Sequence, residues 1–380
     1  MARRFDLIVA ESGTETHRVT ERIRARCADV PFIVSGPDAS DQFRPTGLTL
    51  RQGKRTLFIR RAPGGLVKPC PGTNPPYLCC RYTVINQTTQ CPMDCAYCIL
   101  QTYLDNPVVT IHPHIDETFG EVDRLLADQP GRLFRFGTGE LGDSLVLDDL
   151  TGFAADFAVF FSEKRNALIE LKTKSVQIEG LRDCKTRNVV VSWSLNPQTL
   201  IRSQESGAAS LAKRLEAARA CQERGFLLGF HFDPILWVDG WEKLYGDLVR
   251  RLLNEIDSTR IAWISMGSLR FPPALKDVIR RRFPKSSIAS REMIRGLDGK
   301  MRYPKPVRLA LYRLIYDRLK THDPDLFVYF CMEPPDVWMK VTGEVPASNA
   351  ELDFWFAQSL HHRFPEIEMD VPGREAYGDV

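Results

Sequence analysis

The chain has 380 residues, of which 43% are hydrophobic and 26% charged. That balance excludes wholesale disorder and suits one large α/β domain or two average ones. Its 51 Lys+Arg against 48 Asp+Glu leave a formal charge of +3, so the total charge points to no polyanionic partner. No run of about 18 apolar residues occurs, which excludes a transmembrane helix. The opening Met1-Ala2-Arg3-Arg4 carries a basic pair without the apolar stretch of an export signal, so a cytoplasmic location is expected.

In chain order, residues 6–10 read as a short buried strand. A helix is expected over 15–28, where Val19, Ile23 and Cys27 recur at four-residue spacing. With a strand at 30–34 this makes a small N-terminal α/β lobe, taken as residues 1–60. Residues 48–50 and 56–59 flank Gln52-Gly53-Lys54 and read as a hairpin turning at the glycine. The stretch 61–81 is rich in Pro, Gly and Cys and reads as a connecting loop.

From residue 82 strands alternate with helices. Strands are expected at 82–86, 133–137, 167–172, 189–195, 226–233 and 261–266, with helices at 117–127, 207–224 and 240–256. Such alternation predicts a parallel sheet, and six units are too few for a closed eight-stranded barrel. The fold class is therefore α/β, a partial parallel (β/α)6 barrel over 82–332, with a final strand at 326–330. An acidic C-terminal extension follows at 333–380.

Ten cysteines in a reducing compartment read as metal ligands or catalytic groups before disulfides. Six lie between residues 70 and 98. Cys91-Pro-Met-Asp-Cys95-Ala-Tyr-Cys98 puts three thiolates on the loop after the first barrel strand, where they can hold three corners of a [4Fe–4S] cluster and leave one iron open. Structural zinc competes, but it takes four ligands and no fourth follows at finger-like spacing.

This Cys-x3-Cys-x2-Cys motif resembles the signature of radical S-adenosylmethionine enzymes. More narrowly, the chain resembles the spore photoproduct lyase family in Asn86 to Thr102, Leu228-Gly-Phe with Pro234-Ile235, Gly240-Trp241-Glu242, Arg270-Phe271 and Val328-Tyr329-Phe330. The resemblance implies the radical S-adenosylmethionine fold, with S-adenosylmethionine and a [4Fe–4S] cluster as cofactors and a one-electron reductant as partner. It further implies a 5′-deoxyadenosyl radical that takes a hydrogen atom from the substrate. Cosubstrate residues implied are Gly137-Thr138-Gly139-Glu140, Lys174 and Ser194. A lone Gly-x-Gly also suits a plain βα turn, and Lys174 a surface lysine.

The chain departs from the family at two points. The family's hydrogen-donor cysteine falls where this chain has Glu140, and a carboxylate cannot donate a hydrogen atom as a thiol does. Of two family tyrosines around the third cluster cysteine, Tyr97 is present and Ile99 replaces the other. Cys331, at the end of the last strand, reads as a buried cysteine or as a substitute donor. Cys70, Cys79 and Cys80 precede the first barrel strand, so they are expected toward the barrel's opposite end. They read as structural cysteines, with a second metal site as the alternative.

Residues 270–320 hold 15 Lys+Arg and 4 Asp+Glu, a net +11, against −8 elsewhere. Tyr303, Tyr312 and Tyr316 are interleaved with these cations, a pattern suited to tracking phosphates; a solvated helix face balanced by the acidic tail is the plainer reading. The function expected is therefore repair of a thymine photoproduct in DNA, with DNA bound by 270–320. The alternatives are a radical epimerase or carbon–carbon lyase acting on a metabolite, and a non-catalytic iron–sulfur nucleic-acid binder.

Overall fold

Short apolar runs bounded by turns become strands here, and they assemble into two largely parallel sheets. The computed structural model describes residues 4–36, 43, 45, 47–72 and 75–378. In the N-terminal part, β1 (Leu7–Glu11) pairs in parallel with β2 (Phe32–Ser35) and β3 (Thr56–Ile59), the helix Arg18–Arg26 crossing between the first two. This sheet then borrows from beyond the Pro-rich stretch. Its outer strands are Val109–Ile111, parallel to β3, and Thr88–Thr89.

The hairpin expected at 48–59 does not form. Thr49 instead caps a short helix, Leu50–Gly53: its hydroxyl accepts from Gln52 N at 3.3 Å and the Gln52 side chain accepts from Thr49 N at 2.9 Å. This reciprocal capping box outweighs the turn propensity of Gly53. Part of the stretch expected to be irregular is also a strand, β4 (Val67–Pro69).

The second sheet is the half-barrel. The strands β5 (Thr83–Ile85), β6 (Phe134–Gly137), β7 (Ala167–Thr173), β8 (Val189–Ser194), β9 (Leu227–Ile235), β10 (Ile261–Ser268) and β11 (Val328–Phe330) run parallel in the order β11-β10-β9-β8-β7-β6-β5, and β4 lies antiparallel on the outer edge of β5. All six predicted barrel strands are present, and the predicted last strand joins as a seventh. Every residue of β8 and β10 is buried, as expected of parallel strands covered on both faces. The sheet stays open between β4 and β11. Across that gap the chain before β5 meets the chain after β11, in an antiparallel bridge between Leu78 and Glu333.

The acidic C-terminal segment is ordered and closes the N-terminal end of the half-barrel. Its helix Asn349–Arg363 lays Asp353 against Arg132 at 2.9 Å and Arg135 at 3.7 Å, with the Arg135 guanidinium 3.4 Å above the Phe356 ring. Among the described residues no helix is long and apolar enough to cross a membrane. With one end plugged, the strands' C-terminal ends carry the open cavity.

Candidate active site

A cavity of about 310 Å³ occupies the C-terminal mouth of the half-barrel, where ligands of parallel α/β folds bind. Cys91, Cys95 and Cys98 line one side. Their loop is fixed from three directions. Asp94–Cys95 pairs antiparallel with Glu205–Ser206. Lys54 donates to the Met93 carbonyl and lies 3.3 Å from Asp94. Arg282 grips the Asp94 carboxylate through two contacts of 2.9 Å.

The three sulfurs suit a cluster. Burial pushes the Cys91 thiol up to about 12 and the Cys95 thiol upward as well, while Lys54 acts on Cys91, and Lys174 on Cys95, in the opposite sense. Cations beside buried sulfurs favour an anionic centre. Among the described residues no three His, Cys, Asp or Glu are grouped closely enough to hold a single metal ion.

Beside this loop, the turn after β6 is tied to the end of β7 by Asp143, which accepts from Thr173 Oγ1 at 2.6 Å and from Lys174 N at 2.7 Å. Gly139, Glu140, Lys174 and Ser194 thereby line the cavity together. The Glu140 carboxylate stands 4.0 Å from Lys172. Gly137 and Thr138 do not line it. A Cβ on Gly137 would fall 1.5 Å from the Tyr82 hydroxyl, so this glycine makes room for a tyrosine rather than a cofactor, and Thr138 is occupied with Ser144 at 2.7 Å. Tyr97 lines the cavity, with its hydroxyl donating to the buried Glu205 behind the cluster loop.

The expectation for the other cysteines is corrected. Cys70, Cys79 and Cys80 line the same cavity as the triplet, together with Cys331. The reason is topological: the β4–β5 connection crosses the open side of the half-barrel instead of staying below it. Arg270 donates to the Cys331 sulfur at 3.1 Å while paired with Asp233 at 3.0 and 2.9 Å.

The floor of the cavity holds groups with no sequence motif. Glu170 accepts from Tyr82 Oη at 2.6 Å, is 2.7 Å from His231 Nε2 and accepts from Trp263 Nε1 at 3.1 Å. Burial works to raise its carboxyl, but the charge and hydrogen bond of His231 prevail and hold it below the usual range. Each of these side chains comes from a different strand or strand start. An inward-facing residue signals itself only once the sheet is assembled.

Part of the basic segment is spent inside the molecule. Of its 15 cations, Arg270, Arg282, Arg291, Arg302, Lys305 and Arg308 form ion pairs within the chain. Tyr303 and Tyr312 are fully buried, their hydroxyl oxygens accepting from Trp237 N and Ser268 N. They are core residues, not a stacking platform.

A family model described as Spore photoproduct lyase matches residues 78–323. The spore photoproduct lyase of Geobacillus sp. (strain Y412MC61) is 28% identical over 232 residues, and that of Bacillus subtilis (strain 168) 26% over 238. These matches span 60% and 62% of this chain, and 66% and 68% of the relatives' own lengths. Among solved structures, a spore photoproduct lyase complexed with dinucleoside spore photoproduct superposes with a TM-score of 0.75 at 22% identity, covering 87% of this chain and 100% of that one. A substituted form with bound AdoMet and the same dinucleoside gives 0.76 at 22%, covering 86% and 98%. The solved structures agree with the half-barrel, and the family model runs through every strand that carries the cavity's cluster, glycine and lysine loops, so the chain belongs to the spore photoproduct lyase family.

Proposed function

We propose that this chain is a radical S-adenosylmethionine lyase that reverses a thymine photoproduct in DNA. The observation that carries the reading is one cavity lined by the cysteine triplet, Glu140, Lys174, Ser194 and Cys331. Cys91, Cys95 and Cys98 would hold three corners of a [4Fe–4S] cluster, with S-adenosylmethionine at the fourth iron. Once bound, cluster and cosubstrate supply a 5′-deoxyadenosyl radical able to take hydrogen from an unactivated carbon. Everything else falls to the chain.

Lys174 is suited to pair with the cosubstrate's carboxylate and Glu140 with its ammonium, while Ser194 offers a hydroxyl at the same end. Gly139 permits close approach: a Cβ there would meet Lys172 at 2.9 Å. The buried walls keep water from a reactive carbon centre. With Glu140 where the family has its donor cysteine, hydrogen must return from another group, and Cys331 is the candidate. Burial, more than anything else, holds its thiol up at about 12, so it carries an S–H bond at neutral pH. A reducing cytoplasm, with a one-electron reductant, suits both cluster and thiols.

The test is anaerobic reconstitution followed by dithionite, S-adenosylmethionine and dinucleoside spore photoproduct. Repaired dinucleotide and 5′-deoxyadenosine are expected together, and both are expected to vanish in Cys91→Ala. An unchanged photoproduct beside 5′-deoxyadenosine would overturn the DNA-repair reading and leave radical chemistry on another substrate.

A further inference from the structure

The cavity carries a second set of sulfurs, and two of them lie on the same side of one antiparallel bridge. The antiparallel bridge between Leu78 and Glu333 fixes a local register, with Leu78 N donating to Glu333 O at 3.0 Å. Two residues along each chain from that bridge stand Cys80 and Cys331. The bridge brings the two segments side by side, and a disulfide between them would ask for Cα atoms about 4.4–6.8 Å apart. Both side chains line the cavity. Each is followed by a non-glycine residue in the left-handed region, Arg81 at φ 51° and Met332 at φ 59°, a backbone cost that persists only where the surroundings demand it.

Each sulfur also has its own guanidinium. Arg270 donates to Cys331 at 3.1 Å. Arg135 donates to the Cys80 carbonyl and interacts with its thiol, and its Nε is buried without a hydrogen-bond partner. The Cys80 thiol is in turn hydrogen-bonded to Cys79, and both lie near enough to Cys331 to bias its charge. Both guanidinium groups are permanent cations. They favour a sulfur pair that passes through a negatively charged state.

We infer that Cys331 and Cys80 act as a two-thiol hydrogen-return unit, an inference that rests on the lyase reading above. The Cys331 S–H bond breaks and its hydrogen atom forms the new C–H bond of the repaired base. The sulfur radical left behind bonds to Cys80, which releases its proton to solvent. The resulting three-electron sulfur–sulfur bond, held between Arg135 and Arg270, would pass its surplus electron to the oxidised cluster that Cys91, Cys95 and Cys98 would hold. What remains is a disulfide, which an external dithiol reduces before the next round. One S-adenosylmethionine and two thiols are consumed for each lesion.

The experiment is a single turnover of reconstituted enzyme in D2O, freed of excess dithionite and thiol, on dinucleoside spore photoproduct. The expected result is deuterium in the repaired dinucleotide and a Cys80–Cys331 cross-link in equal amount, read by mass spectrometry of the digested chain. Cys331→Ser is expected to lower repaired product by about tenfold or more, and Cys80→Ser to allow a first round but slow later ones by a similar factor. Cluster absorbance and far-ultraviolet circular dichroism identify any variant that fails to assemble. A repaired product without deuterium, or turnover without the cross-link, would overturn the pair. Wild-type enzyme that leaves the photoproduct untouched would instead overturn the lyase reading. The pair is then judged by oxidation of the full chain in a glutathione redox buffer, where a Cys80–Cys331 link is expected and its absence refutes the pairing.

Discussion

Asp148 illustrates how a single buried carboxylate sets a pH dependence without belonging to the cavity. It accepts from Ala154 N at 2.7 Å at the start of the helix Phe153–Ser162 and is 3% exposed. Burial raises its carboxyl from an ordinary 3.8 to about 6. A folded-state value above the unfolded one means that this group stabilises most below pH 4, and that the contribution is lost as pH rises through about 6. Asp148→Asn keeps an acceptor for Ala154 N and removes the charge. Thermal unfolding is expected to find the variant more stable than wild type at pH 8, by on the order of 2 kcal/mol, with the two converging near pH 4. An equal difference at both pH values would assign the effect to packing instead. Glu170 shows the opposite balance, because three donors surround it and its carboxylate stays charged.

At the scale of elements, the C-terminal helix Asn349–Arg363 acts through one ionic contact. Asp353 is 2% exposed and is the acid facing both Arg132 and Arg135 at the barrel's closed end. Removing it would leave two buried guanidinium groups uncompensated, so Asp353→Ala is expected to cost about 3–5 kcal/mol in denaturant unfolding. Arg165→Ala, which breaks an exposed pair with Glu368 and Asp370, is expected to cost under about 1 kcal/mol. Comparable losses in the two would argue against a clamp at the barrel base. The barrel strands were legible in the sequence because each is an apolar run whose neighbours turn the chain. β4 was not, since Val67-Lys68-Pro69 has no alternation and becomes a strand only through pairing with β5. The same pairing decides where Cys70, Cys79 and Cys80 go, so their place was hidden with it. The cysteine triplet stood out by its spacing, whereas Lys174 and Ser194 were implied only by the family resemblance; all five line the cavity. Which glycine of 137–142 faces the cavity was not legible, because that depends on where Tyr82 points. Nor could the three donors of Glu170 be seen before three strands were side by side.

Taken as a whole, the molecule's net +3 conceals two opposite balances, and folding redistributes them again. The segment 270–320 carries a formal +11, yet six of its cations close ion pairs that hold the cluster loop, the 294–302 hairpin and the last helices in place. Exposed cations remain at Arg280, Arg281, Lys285, Arg295, Arg313 and Arg318. The first two end the helix Pro273–Arg282, whose Arg282 is anchored to Asp94 beside the cluster cysteines. DNA reaching the cavity mouth would meet them there. Each phosphate neutralised contributes about −0.9 to the slope of log K against log salt on duplex DNA. A protein using the whole formal excess would therefore show a slope near −10, whereas one using the six exposed cations would show about −5. Binding of irradiated duplex across a salt series is expected to give the smaller value. Arg280→Gln with Arg281→Gln should flatten it by about 2 and weaken irradiated and plain DNA alike. A slope unchanged by that double substitution would move the phosphate contacts off this helix.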